Sequence, residues 1–130
     1  MPLLAVYGTL RRGFRNHELL KGCELVWEGY ANLPYELVVD SVCIPYLVPV
    51  EELRKIYVEV YRVDEDALSR LDEFEDVPET YVRVELYIDP VGFAHIYVAR
   101  RIPRARERVA GGDFLEFARS RAWCRHLLES

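Results

Sequence analysis

The sequence predicts an α+β domain: a curled antiparallel or mixed sheet with few, short helices. Three observations carry this. Period-two alternation of apolar and polar residues recurs, most clearly over residues 55–63 and 81–88. Helical periodicity is confined to short stretches, the best of them following Asp64. Bulk falls on both faces of the 55–63 strand (Ile56, Val58 and Val60 against Tyr57, Glu59 and Tyr61), so the sheet is covered on each side or curled into a barrel. The 130 residues suit one domain, residues 1–130, built on one core.

Leu3, Leu4, Ala5 and Val6 open the chain as a buried strand. The apolar run stops at Tyr7-Gly8-Thr9-Leu10-Arg11-Arg12-Gly13. Gly8 lets the backbone turn where a Cβ would clash. The amides of Thr9, Leu10 and Arg11 then have no ladder partner. Such a turn is either a small anion-binding nest or an ordinary strand-to-helix loop. Residues 14–20 predict a short helix ended by Gly22, with His17 as a surface or capping residue.

Residues 23–30, 35–39 and 44–48 read as three strands, the last two joined around Asp40-Ser41. Pro45 belongs at an edge or a strand start, because proline cannot donate to a ladder. Glu51-Glu52 reads as a turn. Asp64 N-caps a helix whose first turn carries Glu65 and Asp66. Ala67, Leu68, Leu71 and Phe74 follow at helical spacing, and Pro78 marks the end. The 81–88 strand turns at Asp89-Pro90-Val91-Gly92 into a returning strand holding Ile96 and Val98. Arg100, Arg101, Arg104, Arg106 and Arg108 form a basic, proline-interrupted connector facing solvent. Gly112-Asp113 opens a last helix, about 113–128, with Asp113 and Glu116 at capping-box spacing. Its Phe114, Phe117, Ala118 and Trp123 are available to pack on the sheet.

Composition narrows the function classes. Hydrophobic content of 51% with 30% charged residues is that of a globular protein. A net charge of −5 argues against nucleic acid as the main partner. No apolar run approaches the roughly 20 residues of a membrane span, and the first residues carry strand and turn signals, so a cytoplasmic protein without a membrane role is expected. Cys23, Cys43 and Cys124 lack metal-type spacing and read as buried small hydrophobes, with one disulfide left open. The absence of Gln, with Arg and Glu abundant, has the character of a heat-adapted composition.

Chemistry concentrates in Leu71-Asp72-Glu73-Phe74-Glu75-Asp76. Leu68, Leu71 and Glu75 share one helix face, so Glu75 continues an apolar stripe. Asp72 shares part of that face, and Glu73 points elsewhere. A carboxylate on an apolar face, among other carboxylates, has a raised pKa, as a general acid/base near neutral pH requires. The alternative is a solvated acidic helix surface.

Taken in order, the pieces resemble a known family. Tyr7-Gly8-Thr9-Leu10-Arg11-Arg12-Gly13 with Asn16-His17 is similar to the opening signature of the γ-glutamylcyclotransferase-like (AIG2-like) family. Ile44-Pro45-Tyr46-Leu47, Glu59-Val60-Tyr61-Arg62-Val63-Asp64 and Leu71-Asp72-Glu73-Phe74-Glu75 follow, then Pro78, Tyr81 and Arg83. These resemble most the γ-glutamylamine cyclotransferase branch, and Gly112-Asp113-Phe114 resembles the family's Gly-Asp-Trp element. The resemblance spans residues 3 to about 117.

It implies a small β-barrel-like mixed sheet with flanking short helices. It also implies an enzyme that converts a γ-glutamyl amine or γ-glutamyl amino acid to 5-oxoproline and a free amine. Glu75 is then the catalytic acid/base, and Tyr7, Gly8, Thr9 and Leu10 bind the substrate's α-carboxylate or its developing oxyanion. Tyr46 and Tyr81 are further candidates for the pocket. The implied partner is a small γ-glutamyl molecule, and no metal or nucleotide cofactor is called for. Two positions depart from the family pattern: Asp76 and Val58 each stand where the family usually has Gly. They keep a second expectation open, a small-metabolite-binding module of the same fold without turnover. The oligomeric state is not set by the sequence.

Overall fold

The computed structural model describes residues 1–130. Six strands form one mixed sheet: β1 (Leu3–Val6), β2 (Glu24–Val39), β3 (Pro45–Arg62), β4 (Tyr81–Ile88), β5 (Gly92–Ala99) and β6 (Glu107–Arg108). Their order is β4-β5-β1-β3-β2-β6. β1 runs antiparallel to β3 and parallel to β5. β4 and β6 remain as edges, so the curled sheet is a half-barrel and not a closed one.

The four central strand pieces expected from the sequence are two long strands. β2 and β3 form one hairpin, paired from Glu24↔Arg62 to Val39↔Pro45. Two irregularities bend it. Val26 is an extra residue between Leu25↔Tyr61 and Trp27↔Val60. Further on, the register passes from Leu33↔Arg54 to Tyr35↔Pro49. Pro34 falls in that gap, where no ladder donor is required of it. Glu51-Glu52, expected as a turn, lie on the bulged side of the same gap and remain within β3. The hairpin turn is at Asp40, whose side chain accepts from the amides of Val42 and Ile44 (3.0 and 2.9 Å). Pro45 is the first residue of β3.

Alternation along β1 feeds two cores. Leu4 and Val6 join Leu68, Leu71, Tyr81 and Tyr97 beneath the helix α1 (Glu65–Phe74). Ala5 joins Val58, Val60, Ile96 and Phe114 on the other face, which α2 (Phe114–Arg119) covers. Asp64 caps α1 by accepting from the Ala67 amide at 2.7 Å. Phe74, expected on the buried stripe, is exposed at the helix terminus. The expected helix over 113–128 is broken. α2 ends at its Ser120 cap, and a 3-10 helix, Ala122–Leu127, follows. Trp123 remains exposed, edge-on to Phe117. The expected helix at 14–20 is likewise a 3-10 helix, Arg15–Leu20.

A disulfide joins Cys43 in the β2–β3 turn to Cys124, 81 residues later, and Cys23 is a free thiol. The arginines from 100 to 108 are exposed, with Glu107–Arg108 adding a short edge strand to β2. No helix is long and apolar enough to cross a membrane.

Candidate functional site

The chain leaves the central strand β1 at Val6 and turns at once. Gly8 is needed there for close approach: a Cβ on it would lie 2.7 Å from Pro45 Cγ. The Arg11 amide closes the turn onto the Gly8 carbonyl at 3.1 Å. That removes Arg11 from the expected set of free donors. The amides of Gly8, Thr9 and Leu10 donate to no protein acceptor. Neighbouring side chains pin the loop from outside. Asn16 Nδ2 donates to Thr9 Oγ1 (3.2 Å), and His17 Nδ1 donates to the Leu10 carbonyl (2.8 Å). His17, expected as a surface or capping residue, is half-buried and caps no helix; it braces the loop.

From the opposite side comes Glu75, the C-cap residue of α1, its amide held by the Leu71 carbonyl at 2.8 Å. Its carboxyl lines a cleft with Ala5, Val6, Tyr7, Gly8, Thr9, Leu10, Pro45, Tyr81 and Tyr97. The cleft is small, with a cavity volume of about 30 Å³, and it opens to solvent.

Burial pushes the Glu75 carboxyl up from 4.5 to about 7. The sequence attributed such a rise partly to neighbouring carboxylates, but burial alone causes it. Asp72, the nearest in sequence on that face, is held elsewhere. Its two oxygens accept from Arg83 Nε and Nη2 (2.8 and 3.0 Å), and Tyr97 OH donates to one of them at 2.7 Å. The phenols around Glu75 are spent on carbonyl groups. Tyr7 OH donates to the Tyr97 carbonyl and Tyr81 OH to the Pro45 carbonyl, each at 2.7 Å. Burial raises Tyr7, Tyr81 and Tyr97 above the usual phenol range, so they stay neutral at physiological pH. Glu75 is therefore the one cleft group poised to exchange a proton near neutrality.

Of the residues singled out in the sequence, Tyr7, Gly8, Thr9, Leu10, Glu75 and Tyr81 meet in this one cleft. Tyr46 does not line it; its ring stacks on Tyr81 at 5.0 Å and supports that wall. Tyr97 was missed. It sits on β5, which pairs with β1 only through the folded sheet, and nothing local distinguishes it from a core tyrosine. The two departures are also explained. Asp76 has φ +56°, the left-handed region that favours Gly, and its carboxylate accepts from Thr80 Oγ1 at 2.7 Å. Val58 is fully buried in the core under α2. Neither side chain lines the cleft.

Comparison with known proteins gives the family and the fold. Residues 4–116 match the family described as "Gamma-glutamyl cyclotransferase, AIG2-like". A Vibrio cholerae protein named "Putative gamma-glutamylcyclotransferase" is 36% identical over 114 residues, covering 88% of this chain and 96% of that protein. The human protein named gamma-glutamylaminecyclotransferase is 38% identical over 95 residues, covering 68% of this chain and 62% of that one. Among solved structures, an uncharacterized protein from Pyrococcus horikoshii superposes with a TM-score of 0.78 at 33% identity, covering 92% of this chain and 95% of that one.

Proposed function

The chain belongs to the gamma-glutamyl cyclotransferase, AIG2-like family, and on that premise we propose that it cyclises the γ-glutamyl group of a γ-glutamyl amine or amino acid. The products are 5-oxoproline and a free amine. The observation that supports this reading is the meeting of three free amides and one proton-exchanging carboxyl in a single cleft. No lysine or arginine lines that cleft, so the amides of Gly8, Thr9 and Leu10 are the donors for the substrate's α-carboxylate.

The reaction joins two ends of one molecule. The α-amine attacks its own γ-carbonyl, and a substrate anchored by its α-carboxylate on the loop amides and bent toward Glu75 is held in that approach. The Glu75 carboxylate first takes a proton from the α-ammonium. The freed amine then forms the ring C–N bond. The bond to the leaving nitrogen breaks as that nitrogen takes a proton from Glu75. The α-nitrogen sheds two protons in becoming a lactam amide, and the released amine, protonated at neutral pH, takes up two. Glu75 carries them one at a time.

The test is incubation of the purified protein with a panel of γ-glutamyl amines and γ-glutamyl amino acids, with 5-oxoproline as the readout. Release is expected from at least one substrate and is abolished in Glu75→Gln. A folded protein that binds the panel without releasing 5-oxoproline is a binding module, and the enzymatic reading falls. A Glu75→Gln variant as fast as wild type removes Glu75 from the mechanism.

A further inference from the structure

We propose that Glu59 is a positioning residue that holds the free amides of the 8–10 loop in register with the substrate's α-carboxylate. This rests on the reading of those amides given above. Glu59 lies in the central strand β3, opposite Val6, and is 2% exposed. A carboxylate in such a place is costly unless every lone pair is used. Oε1 accepts from the Arg12 amide (3.1 Å) and from Tyr61 OH (2.7 Å), and Oε2 accepts from Arg11 Nε (3.3 Å). Arg11 is itself buried, its guanidinium 4.7 Å above the Tyr57 ring, and its Nη1 donates to Asp113 Oδ1 at 2.9 Å.

A buried ion pair of this kind is weak evidence for stability, since apolar replacements often do as well. Its location is more informative. The loop between β1 and the first 3-10 helix is fixed before the free amides by Tyr7 OH on the Tyr97 carbonyl. It is fixed after them by the Arg12 amide and the Arg11 side chain on Glu59. The amides of Gly8, Thr9 and Leu10 lie between these two anchors, with Asn16 on Thr9 and His17 on the Leu10 carbonyl bracing the loop from outside. Replacing Glu59 with Gln keeps one oxygen for the Arg12 amide and Tyr61 OH but turns a donor toward Arg11 Nε, so it loosens the second anchor while leaving Glu75 and the cleft phenols in place.

The experiment measures kcat and KM on a γ-glutamyl amine and on its α-carboxamide analogue, identical except for the α-carboxylate. Glu59→Gln is expected to raise KM about ten- to a hundredfold on the carboxylate substrate. On the carboxamide the change is expected to stay below about twofold, and the acid limb of the pH profile to stay where Glu75 puts it. Equal losses on both substrates, or no loss on either, overturn the proposal. Wild-type protein that handles the two substrates equally overturns instead the assignment of the amides to the α-carboxylate. Should Glu59→Gln fail to fold, Asp113→Asn reports on the same anchor. It keeps a cap acceptor for the Glu116 amide while removing a charge from Arg11. A smaller loss confined to the carboxylate substrate supports the proposal, and a loss shared by both substrates refutes it.

Discussion

Replacing Glu75 with Gln is expected to remove activity and stabilise the fold, in a manner set by pH. The carboxyl titrates at about 7 in the native protein against 4.5 ordinarily. The native state therefore holds the proton more tightly than the unfolded chain. Stability conferred by the neutral group is full below 4.5 and is lost as the pH rises to about 7, because the buried site must then accept a charge. At about 1.4 kcal/mol per pH unit, the loss amounts to roughly 3 kcal/mol. Gln is neutral throughout and keeps the shape, so it escapes this loss. The figure is an upper bound, since the Gln amide carries a desolvation cost of its own. The variant is expected to be close to wild type at pH 5 and more stable at pH 8 by up to about 3 kcal/mol, or roughly 10 °C in Tm. Denaturant titrations of both proteins at the two pH values measure it. An equal stability difference at pH 5 and pH 8 would refute the buried-carboxyl argument, even if activity were lost.

Four further outcomes follow from the same site and fold. The wild-type kcat/KM for 5-oxoproline release is expected to rise with pH through about 7, because the base form of Glu75 is required; a flat profile from pH 5 to 8 excludes it. Gly8→Ala places a Cβ 2.7 Å from Pro45 Cγ, so one of the two cleft walls must move. A loss of about 1–3 kcal/mol in stability and a larger proportional loss of turnover are expected, measured by thermal melts and 5-oxoproline assay. Asp76→Gly relieves a left-handed residue at the end of α1 and is expected to change stability by no more than about 1 kcal/mol in the favourable direction, with activity retained; loss of activity would give Asp76 a chemical role. Opening the Cys43–Cys124 bridge, in a Cys43→Ala/Cys124→Ala double variant, frees a closure spanning 81 residues and is expected to cost about 4 kcal/mol, read as a lower denaturation midpoint.

The stabilising effect foreseen for Glu75→Gln has a structural counterpart in the loop facing it. The cleft keeps an ionisable carboxyl largely out of water, and it leaves three amides without protein acceptors. Both are costly in an ordinary interior. The cleft's opening to solvent offsets part of that cost, while the surrounding groups are engaged with one another: Asp72 with Arg83, Tyr7 and Tyr81 with carbonyls, Glu59 with two arginines and a phenol.

Local chemistry was legible in the sequence wherever one residue type forces one geometry. Alternation at Ile56, Val58 and Val60 marks a strand because side chains alternate across a sheet. Asp64 marks a helix start because its carboxylate accepts an orphan amide. Gly8 marks a close approach because any Cβ would collide. Glu75 was legible because helical spacing places it on the stripe of Leu68 and Leu71. What the sequence left undecided depends on partners distant along the chain. Glu59 reads as the polar side of a half-buried strand, and only the fold brings Arg11 and Arg12 onto it. Tyr97 reads as core until β5 lies beside β1. Two strands broken by Pro34 read as separate until pairing shows a bulge that a proline fits. Residue type and spacing determine which groups are available; long-range packing, which neither records, decides that Glu75 and the loop with three free amides line one cleft.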